Sequence, residues 1–147
     1  MILTYKDECT LEQAIDRVSE YGCSSEIRFF DIQPIELCLA AVRQDGFALD
    51  YVRDQTPEIC LAAVKQNDSA LQYVKDQTPE VCLAAVRQNG FALDYVRDQT
   101  PEVCLAAVRQ NGFALDYVRD QTPEICLEVA KKKHLTCRLL SIKVEDE

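Results

Sequence analysis

The stretch DQTPEVCLAAVRQNGFALDYVR runs from Asp76 to Arg97 and recurs without a change from Asp98 to Arg119. Pro57, Pro79, Pro101 and Pro123 keep the same spacing of 22 residues, as do Cys38, Cys60, Cys82, Cys104 and Cys126. A period of this size marks a stacked array, because one unit is too small to bury its apolar face alone and buries it against its neighbours. The first unit departs slightly. QPIELC at Gln33 to Cys38 holds one residue more between proline and cysteine than TPEIC does.

Within a unit the pattern reads as two short helices. Thr56-Pro57-Glu58 is a start signal: threonine supplies a capping oxygen, proline suits the first helical position, and glutamate faces the positive helix end. In EICLAAVKQ, Ile59, Cys60, Ala63 and Val64 share one face. Asn89-Gly90 and Asn111-Gly112 then predict a break, with glycine in the left-handed conformation that ends helices. A second helix of about two turns, FALDYVR, turns Leu93 and Val96 inward, and DQT leads to the next unit. A hairpin at the Asn-Gly pairs is disfavoured, since the flanking runs lack the alternation of strands.

The ends read as worn copies of the same unit. Ile27 and Phe30 align with Leu49 and Val52. Upstream, TLEQ at Thr10 to Gln13 is a capping box opening a helix with Leu11, Ala14, Ile15, Val18 and Tyr21 on one face, closed by Gly22. Downstream, Leu135, Cys137 and Leu140 fall where Phe113, Leu115 and Val118 stand one period earlier, amid Lys131, Lys132, Lys133 and Arg138. The expected fold is therefore all-α, a curved α-solenoid of stacked helical hairpins with a 22-residue period. Its expected parts are a degenerate capping hairpin over 1–30, four regular repeats over 31–119, and a divergent capping repeat and tail over 120–147, all in one continuous domain.

The tandem signature QTPEVCLAAVRQNGFALDYVRD resembles the short helical repeats grouped as the domain of unknown function DUF4116. The resemblance covers about Asp31 to Ser141 and rests on a Pro-Glu-x-Cys-Leu-x-Ala-Val-x-Gln-Asn-Gly pattern. Such repeats are associated with giant viruses and with bacteria, including ones that deliver effectors into host cells. The resemblance implies a helical array and no biochemical activity, so it assigns no catalytic residue. Asp68-Ser69 departs from the pattern where Gly-Phe is expected, and the first thirty residues match by pattern only.

Charge and composition narrow the function. The formal net charge of -9 disfavours direct binding to nucleic acid, which needs a clustered basic surface. No signal peptide and no run of about 20 apolar residues is visible, so the expectation is a cytoplasmic protein without a membrane partner, delivered into a host cytosol if it is an effector. Eight cysteines invite disulfide or metal readings. Equivalent cysteines in stacked units sit about one helix-packing distance apart, too far for a disulfide. There is no C-x-x-C pair, and the single histidine is His134. The cysteines are expected to be buried, reduced spacers, with Cys9, Cys23 and Cys137 breaking the period as the candidates for reactivity. No cofactor, metal site or catalytic group is expected: no glycine-rich phosphate loop appears, and Glu58, Glu80, Glu102 and Glu124 are explained as helix-start charges.

A protein partner is the remaining expectation, met by side chains that recur along the array. Tyr51, Tyr73, Tyr95 and Tyr117 form one row, each four residues after the position of Phe47, Phe91 or Phe113, and so read either as aromatic packing between repeats or as partly exposed anchors. Arg43, Lys65, Arg87 and Arg109 close the first helices, and Arg53, Lys75, Arg97 and Arg119 accompany Asp50, Asp94 and Asp116 on the second, as solvated charge ladders. Arg87 and Arg109 are the binding candidates among these charges. Ser69 removes a ring that other units carry, leaving either local drift or a notch near Asp68, Ser69 and Gln72. Three classes of function stay open: a non-enzymatic protein-interaction scaffold, effector-like or cellular; a small acidic inhibitor or immunity-type protein blocking a basic site on a nucleic-acid-processing enzyme; and a self-associating structural module.

Overall fold

The computed structural model of the chain describes residues 2–4, 8–20 and 23–131. The expectations placed on Tyr21, Gly22, Lys132, Lys133, His134, Leu135, Cys137, Arg138 and Leu140 lie outside the described residues. Strands β1 (Ile2–Thr4) and β2 (Glu8–Thr10) open the chain as an antiparallel pair, with Leu3 opposite Cys9. The sequence reading did not foresee this pair. Helix α1 (Leu11–Ser19) and a short 3₁₀ helix η1 (Ser24–Phe29) follow, and then the regular alternation begins. It comprises α2 (Ile35–Gln44), η2 (Gly46–Tyr51), α3 (Pro57–Gln66), η3 (Asp68–Tyr73), α4 (Pro79–Gln88), η4 (Gly90–Tyr95), α5 (Pro101–Gln110), η5 (Gly112–Tyr117) and α6 (Pro123–Ala130). Each α-helix packs on the next α-helix and each 3₁₀ helix on the next 3₁₀ helix, so the molecule is a two-layer helical solenoid.

The α-helix starts are built as the threonines imply. The hydroxyls of Thr56, Thr78, Thr100 and Thr122 accept from Ile59, Val81, Val103 and Ile125 N–H, with proline at the first turn. At α1 the capping box is complete: Gln13 N–H donates to Thr10 Oγ1 at 3.3 Å and Thr10 N–H to Gln13 Oε1 at 2.9 Å. The extra residue of the first unit is absorbed at this point too, because Pro34 becomes the N-cap itself and α2 starts at Ile35. Cys38 then stands three residues into its helix, as Cys60 does in the helix that starts at Pro57.

The second helix of each unit is 3₁₀ rather than α. Three residues per turn place Gly90, Leu93 and Val96 in one line, and Leu93 and Val96 are fully buried. Asn89, expected to lead into a left-handed glycine, is extended at φ -146 and ψ 113, and its Oδ1 accepts from Phe91 N–H at 3.1 Å. Neither Gly46 nor Gly90 lies in the left-handed region. Their role is close approach. A Cβ on Gly90 would sit 2.6 Å from the Ala107 carbonyl oxygen of the next unit, and one on Gly46 would sit 2.6 Å from that of Ala63.

The core runs the length of the array between the layers. From one unit it takes Ile59, Cys60, Ala63 and Val64 on the α-helix and Ala70, Leu71 and Val74 on the 3₁₀ side, all buried. Full burial of each valine, leucine or isoleucine contributes about 1.5–3 kcal/mol. The worn first unit obeys the same plan, with Ile27, Phe30, Leu49 and Val52 all buried and Ala14 and Val18 closing the end. No helix among the described residues is long and apolar enough to cross a membrane.

Candidate interaction surface

Much of what repeats is spent inside the array. The glutamine of each DQT turn is the joint between units. Gln77 Nε2 donates to Leu71 O at 3.0 Å and to Tyr95 O at 2.9 Å, and its Oε1 accepts from Arg97 N–H at 2.9 Å. Gln33, Gln55 and Gln99 make the equivalent set. The ladder of Arg53, Lys75, Arg97 and Arg119, expected to be solvated, is a second joint. Each reaches a main-chain carbonyl one unit back: Arg53 that of Asp31, Lys75 that of Arg53, Arg97 that of Lys75 and Arg119 that of Arg97. Turn carbonyls have no ladder partner of their own, and a cation one period away is positioned to satisfy them.

The cysteines are part of this interior. Cys38, Cys60, Cys82, Cys104 and Cys126 are buried, their thiols within 3.6–4.0 Å of oxygens of the preceding glutamine. Cys9 is buried as well, while Cys23 is half-buried. Burial pushes the Cys38 thiol from an ordinary 9.0 up to about 11, with the Asp54 carboxylate adding to the effect. Burial first, then Asp76, Asp98 and Asp120 in turn, raises Cys60, Cys82 and Cys104. A folded pKa above the unfolded one means that the stability held by these thiols is complete below the unfolded thiol value and is lost as pH climbs through the raised one. Urea unfolding should therefore show stability falling between about pH 9 and about pH 11, with a shallower fall in Cys38→Ala. At neutral pH the native array thiols should alkylate only as fast as the units open. An equal slope in the variant would contradict the assignment.

The two faces differ in chemistry. On the α side, Arg43, Lys65 and Arg87 are exposed at the helix ends. A groove of about 530 Å³ runs between α2 and α3, lined by Leu39, Leu61 and Ala62 between Arg43, Lys65 and Glu58. Arg87 has no ion pair among the described residues, whereas Arg109 Nε meets Glu128 Oε1 at 3.1 Å, glutamate replacing the alanine of earlier units. On the 3₁₀ side, Phe47, Phe91 and Phe113 are 39 %, 41 % and 59 % exposed, and the carboxylates of Asp50, Asp94 and Asp116 are exposed beside them.

The tyrosines end the 3₁₀ helices, and where a phenylalanine ring meets one of them it belongs to the preceding unit. Tyr73 meets Phe47 of the preceding unit edge-on at 5.8 Å, and Tyr117 meets Phe91 at 5.8 Å. Four residues in a 3₁₀ helix are a third of a turn out of line, so Phe and Tyr of one unit diverge and the rings meet across the joint. Tyr51, Tyr73 and Tyr95 are half-buried, and Tyr117 is 39 % exposed. Asp68, Ser69 and Gln72 lie together on η3, in the same layer. Asn89 Nδ2 donates to Asp68 Oδ2 at 3.0 Å, and Gln72 Nε2 donates to Ser69 O at 3.0 Å. The structure thus gathers the tyrosines with Asp68, Ser69 and Gln72, and sets Arg87 and Arg109 apart on the α layer.

Three features escaped the sequence reading: the exposure of the phenylalanine row, the glutamine joint, and Arg28, whose guanidinium lies over the rings of Phe29 and Tyr51 at 4.6 and 5.3 Å. The recurrence of Gln55, Gln77, Gln99 and Gln121 was a visible signal for the joint. Among the described residues, no three histidine, cysteine, aspartate or glutamate side chains converge as a metal site would require.

The family model described as Domain of unknown function (DUF4116) matches residues 35–78, 56–100 and 78–122, in overlapping windows of about two units each. No curated protein and no solved structure matches the chain at a significant level.

Proposed function

The chain belongs to the DUF4116 family, and from that premise we propose that it is a non-enzymatic scaffold whose 3₁₀ face binds a basic protein. The observation that carries this reading is the row of Phe47, Phe91 and Phe113, exposed on the surface of the array with the carboxylates of Asp50, Asp94 and Asp116 alongside. Aromatic side chains dominate the energy of protein interfaces, and carboxylates around them select a cationic partner and speed its approach. The net charge of -9 acts in the same direction. Other repeated groups are less available: the turn glutamines and cations hold the joints, and the array thiols are buried.

A narrower form of the same reading is an acidic inhibitor seated on the basic site of a nucleic-acid-processing enzyme. The carboxylate row favours it, and steep salt dependence is its mark. In either form the working compartment is a reducing one, such as a cytosol, since unpaired thiols persist there.

Capture on the immobilised protein, compared by quantitative mass spectrometry with a Phe91→Ser, Phe113→Ser double variant and with Arg87→Ala, tests the face. The double variant should lose at least about tenfold of a basic protein that Arg87→Ala retains, since an interface anchor is worth about 2 kcal/mol or more. Equal recovery on all three proteins would refute the assignment.

A further inference from the structure

Phe29, Tyr51, Tyr73, Tyr95 and Tyr117 occupy one position of successive units and form a column along the 3₁₀ layer. Most members are covered by the unit before. Phe47 covers Tyr73 and Phe91 covers Tyr117, both edge-on. In the first unit Ser25 stands where those phenylalanines stand, and a cation replaces the ring: the Arg28 guanidinium lies 5.3 Å from the Tyr51 centroid. The η3 unit repeats the serine without the cation. Ser69 replaces phenylalanine, and the position of Arg28 holds Gln72, whose amide is folded back on Ser69 O at 3.0 Å. Among the described residues neither a ring nor a cation covers Tyr95.

We propose that the gap between Ser69 and Tyr95 is a slot for an arginine side chain of the basic protein partner, filled in the complex as Arg28 fills the equivalent slot over Tyr51. This rests on the reading that the 3₁₀ face binds a basic protein. A guanidinium suits the slot better than an ammonium, because it is planar, weakly hydrated and stacks on an aromatic face. Asp94, adjacent to Tyr95 in the chain, and Asp116 one unit on supply exposed negative charge on the same layer.

The test titrates the full chain with octa-arginine and with octa-lysine at fixed low salt, following the tyrosine and phenylalanine ring resonances by NMR. Octa-arginine should shift Tyr95 and bind about three- to tenfold more tightly than octa-lysine. Two variants close the slot from within. Ser69→Phe restores the ring found in other units, and Gln72→Arg restores the cation of the first. Both should keep the helical circular dichroism and abolish the preference for arginine. If the two peptides bind equally, or either folded variant keeps the preference, the slot is refuted while the basic-partner reading stands. If neither peptide shifts any ring on this face, both fall.

Discussion

Replacing Gln77 with leucine is expected to cost about 3 kcal/mol and to split unfolding into two steps. The side chain holds two carbonyls and one N–H from two units, at 2.9–3.0 Å, in a half-buried joint. Leucine approximates its bulk and leaves all three groups without that partner, each at roughly 1 kcal/mol. In a linear array stability is a sum over units and their nearest-neighbour joints, so a weak joint in the middle uncouples the halves. Gln72→Leu is the internal control. Its exposed amide is bonded within its own unit, to Ser69 O at 3.0 Å, and the expected loss is at most about 1 kcal/mol. Urea denaturation followed at 222 nm measures both; equal losses at the two positions would show that the joint has no special weight.

Gly90→Ala should cost about 2 kcal/mol, and Gly90→Asp should cost less despite the larger side chain. The alanine Cβ meets a main-chain oxygen, Ala107 O, at 2.6 Å, and no side-chain rotation relieves it. It also pushes away Gln110, whose Oε1 accepts from Gly90 N–H at 2.7 Å. Aspartate suffers the same clash, but the chain already contains a remedy. At the equivalent position Asp68 is accommodated, with its carboxylate accepting from Asn89 one unit on, and Asn111 stands where Asn89 would be needed for a substituted Gly90. A thermal melt of the two variants decides it. Alanine better tolerated than aspartate would mean that helix propensity, and not this close approach, governs the position.

Legibility followed the range of the interactions involved. The helix starts were readable because threonine, proline and glutamate act within four residues of one another. The buried cysteines were readable because a 22-residue beat places them on one face of successive helices. The tyrosine row reads from the sequence as packing between repeats, but the four-residue spacing from phenylalanine does not identify the ring: in a 3₁₀ helix it is Phe47 of the unit before that meets Tyr73. Gly90 carried the familiar signature of a helix stop, yet what demands glycine is an oxygen 17 residues away in the chain. Arg97 had the look of a solvated surface charge; its carbonyl partner belongs to the unit before. At the candidate site, the missing ring at Ser69 was visible in the letters, whereas the cation covering Tyr51 was not.

The periodic chain by itself determined that helical pairs stack, where the α-helices begin, and which side chains face the core, because those properties depend on spacing and short-range caps that every copy repeats. Only the tertiary structure decided that each second helix is 3₁₀ rather than α, the partners of glutamine, arginine and tyrosine, and the exposure of the phenylalanine row. Those are relations between neighbouring units, and they depend on the offset at which one unit meets the next, which no single copy of the motif contains.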